Sequence, residues 1–67
     1  MWVEFETFGA AEYINDSVMV YEKENIRVYK HDMFGSVIFS LIKFEDEKYY
    51  IYETDFWTLE SAKNELP

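Results

Sequence analysis

Cysteine is missing altogether, and with it disulfides, thiolate nucleophiles and cysteine-based zinc sites. Small secreted domains lean on such cross-links, so the sequence fits a cytosolic setting, the host cytoplasm if the chain is viral. Glycine occurs only at positions 9 and 35 and proline only at 67, too sparsely for a disordered linker or a phosphate-cradling loop. No basic stretch leads into an apolar one, and no apolar run approaches the roughly 20 residues of a membrane helix. Neither an export signal nor a membrane span is therefore expected. Asn15-Asp16-Ser17 matches the glycosylation tripeptide, but without an export signal it reads as a turn.

Positive charge is also scarce. The net charge is −8, and nucleic-acid binders need clustered Lys and Arg to displace counterions from phosphates. Direct nucleic-acid binding and adhesion to anionic membranes are accordingly not expected. The first 22 residues carry Glu4, Glu6, Glu12, Asp16 and Glu22 and no Lys or Arg. A mildly basic middle follows, with Lys23, Arg27, Lys30 and Lys43 against Glu24 and Asp32. From residue 44 on, acids dominate again: Glu45, Asp46, Glu47, Glu53, Asp55, Glu60 and Glu65 against Lys48 and Lys63.

What is present in abundance is apolar and aromatic material, 49% and 21% of the chain. That is enough for one core, and the expected organisation is a single domain over residues 1–67, near the lower size limit for independent folding. Residues 2–8 alternate, with Val3, Phe5 and Thr7 on one side and Trp2, Glu4 and Glu6 on the other, and Gly9 is expected to stop that strand. Residues 10–14 read as a helical turn or an irregular link. Residues 17–22 and 26–30 are β-rich and joined by a short polar link, the mark of a hairpin. A turn over residues 31–35 leads into residues 36–44, apolar on both faces and so the central strand. After the Glu45-Asp46-Glu47 turn, residues 48–53 alternate again. Thr58 then suits a helix N-cap, with Leu59, Ala62 and Leu66 at helical spacing, Glu60 in the first turn and Pro67 beyond the end.

The expected fold is therefore α+β, a small antiparallel sheet of four to five strands in one meander with a C-terminal helix packed on one face. Phe5, Val18, Val20, Ile26, Val28, Phe39, Leu41, Ile51, Leu59 and Leu66 are the expected core. Trp2, Tyr29, Tyr50, Tyr52 and Trp57 are the aromatics for which so small a core leaves little room. Residues 49–63, in which Tyr49 to Tyr52 lead through Phe56, Trp57 and Thr58 to Leu59, Glu60 and Ala62, resemble small sheet-plus-helix DNA-binding domains such as the integrase arm-binding type. The resemblance implies that strand-to-helix architecture. The strands here lack the basic residues such domains turn toward phosphates, so it implies nothing about DNA binding.

No constellation for chemistry is evident. His31 beside Asp32 lacks a nucleophile to complete a triad and reads as a surface turn residue. The acidic residues fall mostly on turns and outward strand positions, and Glu45-Asp46-Glu47 lacks the ligand spacing of a calcium loop. No catalytic residue, cofactor or metal site is expected, and the chain is not expected to be an enzyme. Alternate residues on a strand lie roughly 6.6 Å apart, so a sheet can display spaced negative charge as a nucleic-acid backbone does. The leading expectation is a protein-binding inhibitor or modulator that presents Glu4, Glu6, Glu22, Glu24, Glu45, Asp46, Glu47, Tyr50, Tyr52, Glu53 and Asp55 to a basic partner. A nucleic-acid mimic of a phage or mobile element, blocking a host nuclease, CRISPR effector or polymerase, would look like this. The alternative is an assembly module in which two copies pair, as a homodimer or larger, through an edge strand or the tyrosine-rich face.

Overall fold

The computed structural model describes residues 1–66, so Pro67 lies outside it. The elements run β1 (Trp2–Phe5), α1 (Thr7–Asn15), β2 (Val18–Lys23), β3 (Ile26–Met33), β4 (Ser36–Glu45), β5 (Lys48–Tyr52) and α2 (Leu59–Asn64). All five strands form one antiparallel sheet in the order β1-β5-β4-β3-β2. The expected meander holds from β2 to β5. It fails for β1, which pairs with β5 at the far edge, Trp2 facing Tyr52 and Phe5 facing Tyr49.

The segment after β1 explains the difference. A polypeptide joining opposite edges must cross a face of the sheet, and α1 is that crossing. Gly9 sits inside α1 rather than ending a strand, and a Cβ there would stand 3.2 Å from the Phe5 ring. The missing side chain is what lets the helix close on Phe5. Ala10, with no exposure, is the other small residue at this approach.

Strand alternation sorts the side chains onto two faces. One holds Trp2, Tyr21, Val28, Leu41, Tyr50 and Tyr52; Val28 and Leu41, wholly buried, join Ile26 and Ala62 of α2 in the core cluster. Thr58 caps α2 by accepting a hydrogen bond from the Ser61 N–H at 3.1 Å. The other face holds Phe5, Tyr29, His31, Ser40 and Ile42, with Tyr13 of α1 against them.

Three expectations change. Val18 is exposed, because it lies at the end of an edge strand opposite Lys30, and a bulge between Met19 and Tyr21 turns Val20 and Tyr21 toward the cluster instead. Tyr29 is buried, because β3 lies inside the sheet with β2 and β4 on either side. His31 belongs to β3 and is half-buried, the turn being only Phe34 and Gly35.

Candidate functional site

All three hairpins close with two residues, and each loop places at least one residue in the left-handed region. Glu24 has φ 57°, Phe34 52°, Gly35 84°, Asp46 53° and Glu47 64°. Such turns match the twist of the flanking strands and favour Asn, Asp and Gly, so Glu24, Phe34 and Glu47 are strained choices. In an antiparallel meander the first and third turns fall at one end and the second at the other. Glu24 is thereby brought beside Asp46 and Glu47, and the Asn25 side chain and backbone both bond to Phe44 across the gap, at 3.3 and 3.2 Å. Glu6 joins this end because Phe5 faces Tyr49.

Four of the acidic residues singled out from the sequence are already partnered. Glu22 accepts from Arg27 at 2.8 Å, Glu45 lies 3.5 Å from Lys43, Glu4 4.0 Å from Lys48, and Glu53 3.2 Å from the N-terminal amine. Glu6, Glu24, Asp46 and Glu47 form no ion pair among the described residues. Glu53 and Asp55 sit at the opposite end of the sheet, and Asp55 accepts the Ser40 hydroxyl at 3.1 Å. Tyr52 is engaged between Trp2 and Phe56, with centroids 5.3 and 6.2 Å away, and its hydroxyl meets Glu65 at 3.4 Å. The Lys43 ammonium stands 5.4 Å from the Tyr50 ring and 4.5 Å from that of Trp2. The tyrosine face is thus spent largely on the chain's own cation and rings.

Beside the acidic end lies a groove of about 320 Å³. Because α1 runs from β1 at this end to β2 at the other, it crosses diagonally and leaves the near corner open. Tyr29, Ile42, Phe44 and Tyr49 line the groove together with the polar side chains of Glu22, Glu24, Asn25 and Arg27. The Phe44 and Tyr49 rings pack with centroids 4.9 Å apart.

The polar cluster under α1 has the residue types of acid-base chemistry without the geometry. Tyr13 Oη lies 2.6 Å from Ser40 Oγ, whose single hydrogen goes to Asp55, so the tyrosine donates. Ser17 Oγ donates to the Tyr13 carbonyl at 2.6 Å and therefore accepts from His31 Nδ1 at 3.0 Å. That assigns the proton to Nδ1. The imidazole stacks on Tyr13 at 4.7 Å, and its bond goes to Ser17, while Ser40, the serine beside Asp55, has no exposure. Burial lifts the Tyr13 phenol above its ordinary value against the Ser40 bond, and Asp55 pushes the same way as burial. Every buried side-chain polar atom among the described residues has a partner. A network so satisfied fastens α1 to β4.

Among the described residues no three His, Asp or Glu side chains gather as a metal ion requires, and no helix is long and apolar enough to cross a membrane. Sequence reading found the acidic turns through their charge; the groove left no signal, since its lining comes from β3, β4 and β5 and its opening depends on the path of α1. Comparison with protein-family models, curated proteins and solved structures returns no match.

Proposed function

We propose that this protein is a non-enzymatic binding module that docks its acidic end onto a basic surface of a partner protein, one that could otherwise hold nucleic acid. The observation that carries the reading is the gathering of Glu6, Glu24, Asp46 and Glu47 at one end of the sheet without ion pairs among the described residues. Free carboxylates on a rigid end raise the encounter rate with a cationic surface, and no internal pair has to be broken to bind it. The partnered carboxylates of Glu4, Glu22, Glu45 and Glu53 contribute to the overall field but less to the contact. In this reading α2, held by Ala62 against Ile26, Val28 and Leu41, braces the sheet from behind.

The test compares two variants that lose the same charge. One is E6Q/E24Q/D46N/E47Q, from the acidic end; the other is E12Q/D16N/D32N/E60Q, from exposed positions elsewhere. Titration against an oligo-arginine peptide at about 50 and about 300 mM salt reads the affinity. The first variant should lose roughly tenfold or more at low salt, and the second much less. Equal losses would mean that bulk charge alone attracts the peptide and that the end is no docking surface.

A further inference from the structure

Phe34 is wholly exposed, at 101% relative accessibility, at the tip of the β3–β4 hairpin. Its φ of 52° is a conformation that disfavours a bulky side chain, and the following Gly35, at 84°, completes a two-residue turn for which Asn-Gly is the favoured sequence. An aromatic ring here loses backbone comfort and gains no burial against the described residues. Met33 and Val37 beside it are exposed too, so the tip is an apolar finger. At the other end of the same two strands lies the groove lined by Tyr29, Ile42, Phe44 and Tyr49.

We infer that the finger of one copy seats Phe34 in the groove of a second copy, a head-to-tail contact that propagates along a row of molecules. The sizes agree: a cavity of about 150 Å³ admits a benzene ring, and the groove holds about 320 Å³. Phe44 and Tyr49 on one side of it are aromatic and suited to edge or offset contacts with a phenyl ring, while Glu22, Glu24, Asn25 and Arg27 make the rest of the lining polar. Residues 33–37 carry no charge, and the nearest charges along β3 are Asp32 and Lys30, of opposite sign, so the tip enters the acidic border without local repulsion. Knob and socket are different surfaces at opposite ends of one pair of strands, so a single union leaves a free socket on one copy and a free knob on the other. Such a heterologous contact makes rings or open rows. The net charge of −8 opposes the union through space, and salt relieves that opposition.

The inference stands apart from the basic-partner reading, because salt strengthens self-association and weakens capture of a cation. Sedimentation velocity from about 10 µM to about 1 mM protein, at about 20 mM and about 0.5 M salt, tests it. The mass should climb from 8.2 kDa past that of a dimer with concentration, and climb further in high salt. F34N should lower the association constant by roughly tenfold or more while leaving the fold intact, since a fully exposed turn residue is not needed for folding. F44E, from the socket side at an exposed position, should do the same. Each variant alone should remain monomeric, and an equimolar mixture of the two should form a pair and nothing larger. A wild-type mass fixed at 8.2 kDa across the range, a closed dimer indifferent to F34N, or a mixture of the two folded variants that stays monomeric would each overturn the inference.

Discussion

The Tyr13 hydroxyl of α1 stands 2.6 Å from Oγ of Ser40, a residue without solvent exposure in the middle of β4. Ser40 relays this bond to Asp55 at 3.1 Å, so the helix, the central strand and the segment after β5 share one short chain of hydroxyl donors. Ser40→Ala leaves both neighbours short of a partner and should cost about 1–3 kcal/mol, whereas Tyr13→Phe should cost about 1 kcal/mol. In a double-mutant cycle read by urea unfolding, the two losses should be non-additive by at least about 0.5 kcal/mol. Strict additivity would show that the bond carries no coupling.

Alkaline pH offers a second reading of the same contact. The Tyr13 phenol is raised by burial, and Tyr52 is raised by the Glu65 carboxylate. A folded-state value above the unfolded one means that the unfolded chain gives up its proton first. Stability should therefore be fully present below about pH 10, the ordinary tyrosine value, and fall as pH climbs through the raised values. Urea midpoints at a series of pH values from about 8.5 to about 11.5 measure this. Tyr13→Phe should flatten part of the decline and Tyr13→Phe with Tyr52→Phe more of it; a slope unmoved by both would refute the assignment.

The β4–β5 turn should be improvable. Asp46 and Glu47 both hold positive φ, and Asn-Gly is the pair suited to that geometry. D46N/E47G should add about 1 kcal/mol over D46N/E47Q, which removes the same charge but keeps a Cβ at both positions. For a domain of this size that is about 4–8 °C in Tm, read by thermal circular dichroism. Equal melting of the two would place the cost elsewhere than the backbone.

Gly9 invites the opposite experiment. Alanine is normally the better helix residue by about 1 kcal/mol, but here its Cβ meets the Phe5 ring at 3.2 Å, and that ring is held by an edge contact with Tyr13 at a centroid distance of 6.0 Å. Gly9→Ala alone should bring no gain in Tm. In a Phe5→Leu background, where the far ring atoms are gone, the same change should stabilise by about 0.5–1 kcal/mol. A gain in the wild-type background would show that Phe5 yields freely.

Much of this architecture was legible beforehand. The alternation of Tyr49 and Ile51 with Tyr50 and Tyr52, the two-faced apolar run through Leu41 and the Thr58 cap all express local periods or capping chemistry, and each appears where expected. Position of β1 within the sheet was not legible, because pairing of Trp2 with Tyr52 is a long-range choice and Gly9 looks locally like a stop. His31 misled for a related reason: β3 continues to Met33, so a polar stretch that resembles a loop is a strand under a helix. For the candidate site, charge marked Glu6, Glu24, Asp46 and Glu47. Which acids stay unpartnered depends on cross-strand neighbours such as Arg27 beside Glu22 and Lys48 near Glu4, a matter of register.

Pairing of β1 with β5 also sets an order of events during synthesis. Met1 and Glu53 meet across a separation of 52 residues, so a nascent chain makes β1 long before its neighbour leaves the ribosome. The hairpins from β2 to β5 need only adjacent sequence and can form as they emerge. Until β1 arrives, β5 offers a row of unsatisfied amides and carbonyls, open to any extended segment nearby. Closure of that edge by β1 ends an interval in which the unpaired β5 is open to mispairing with other chains.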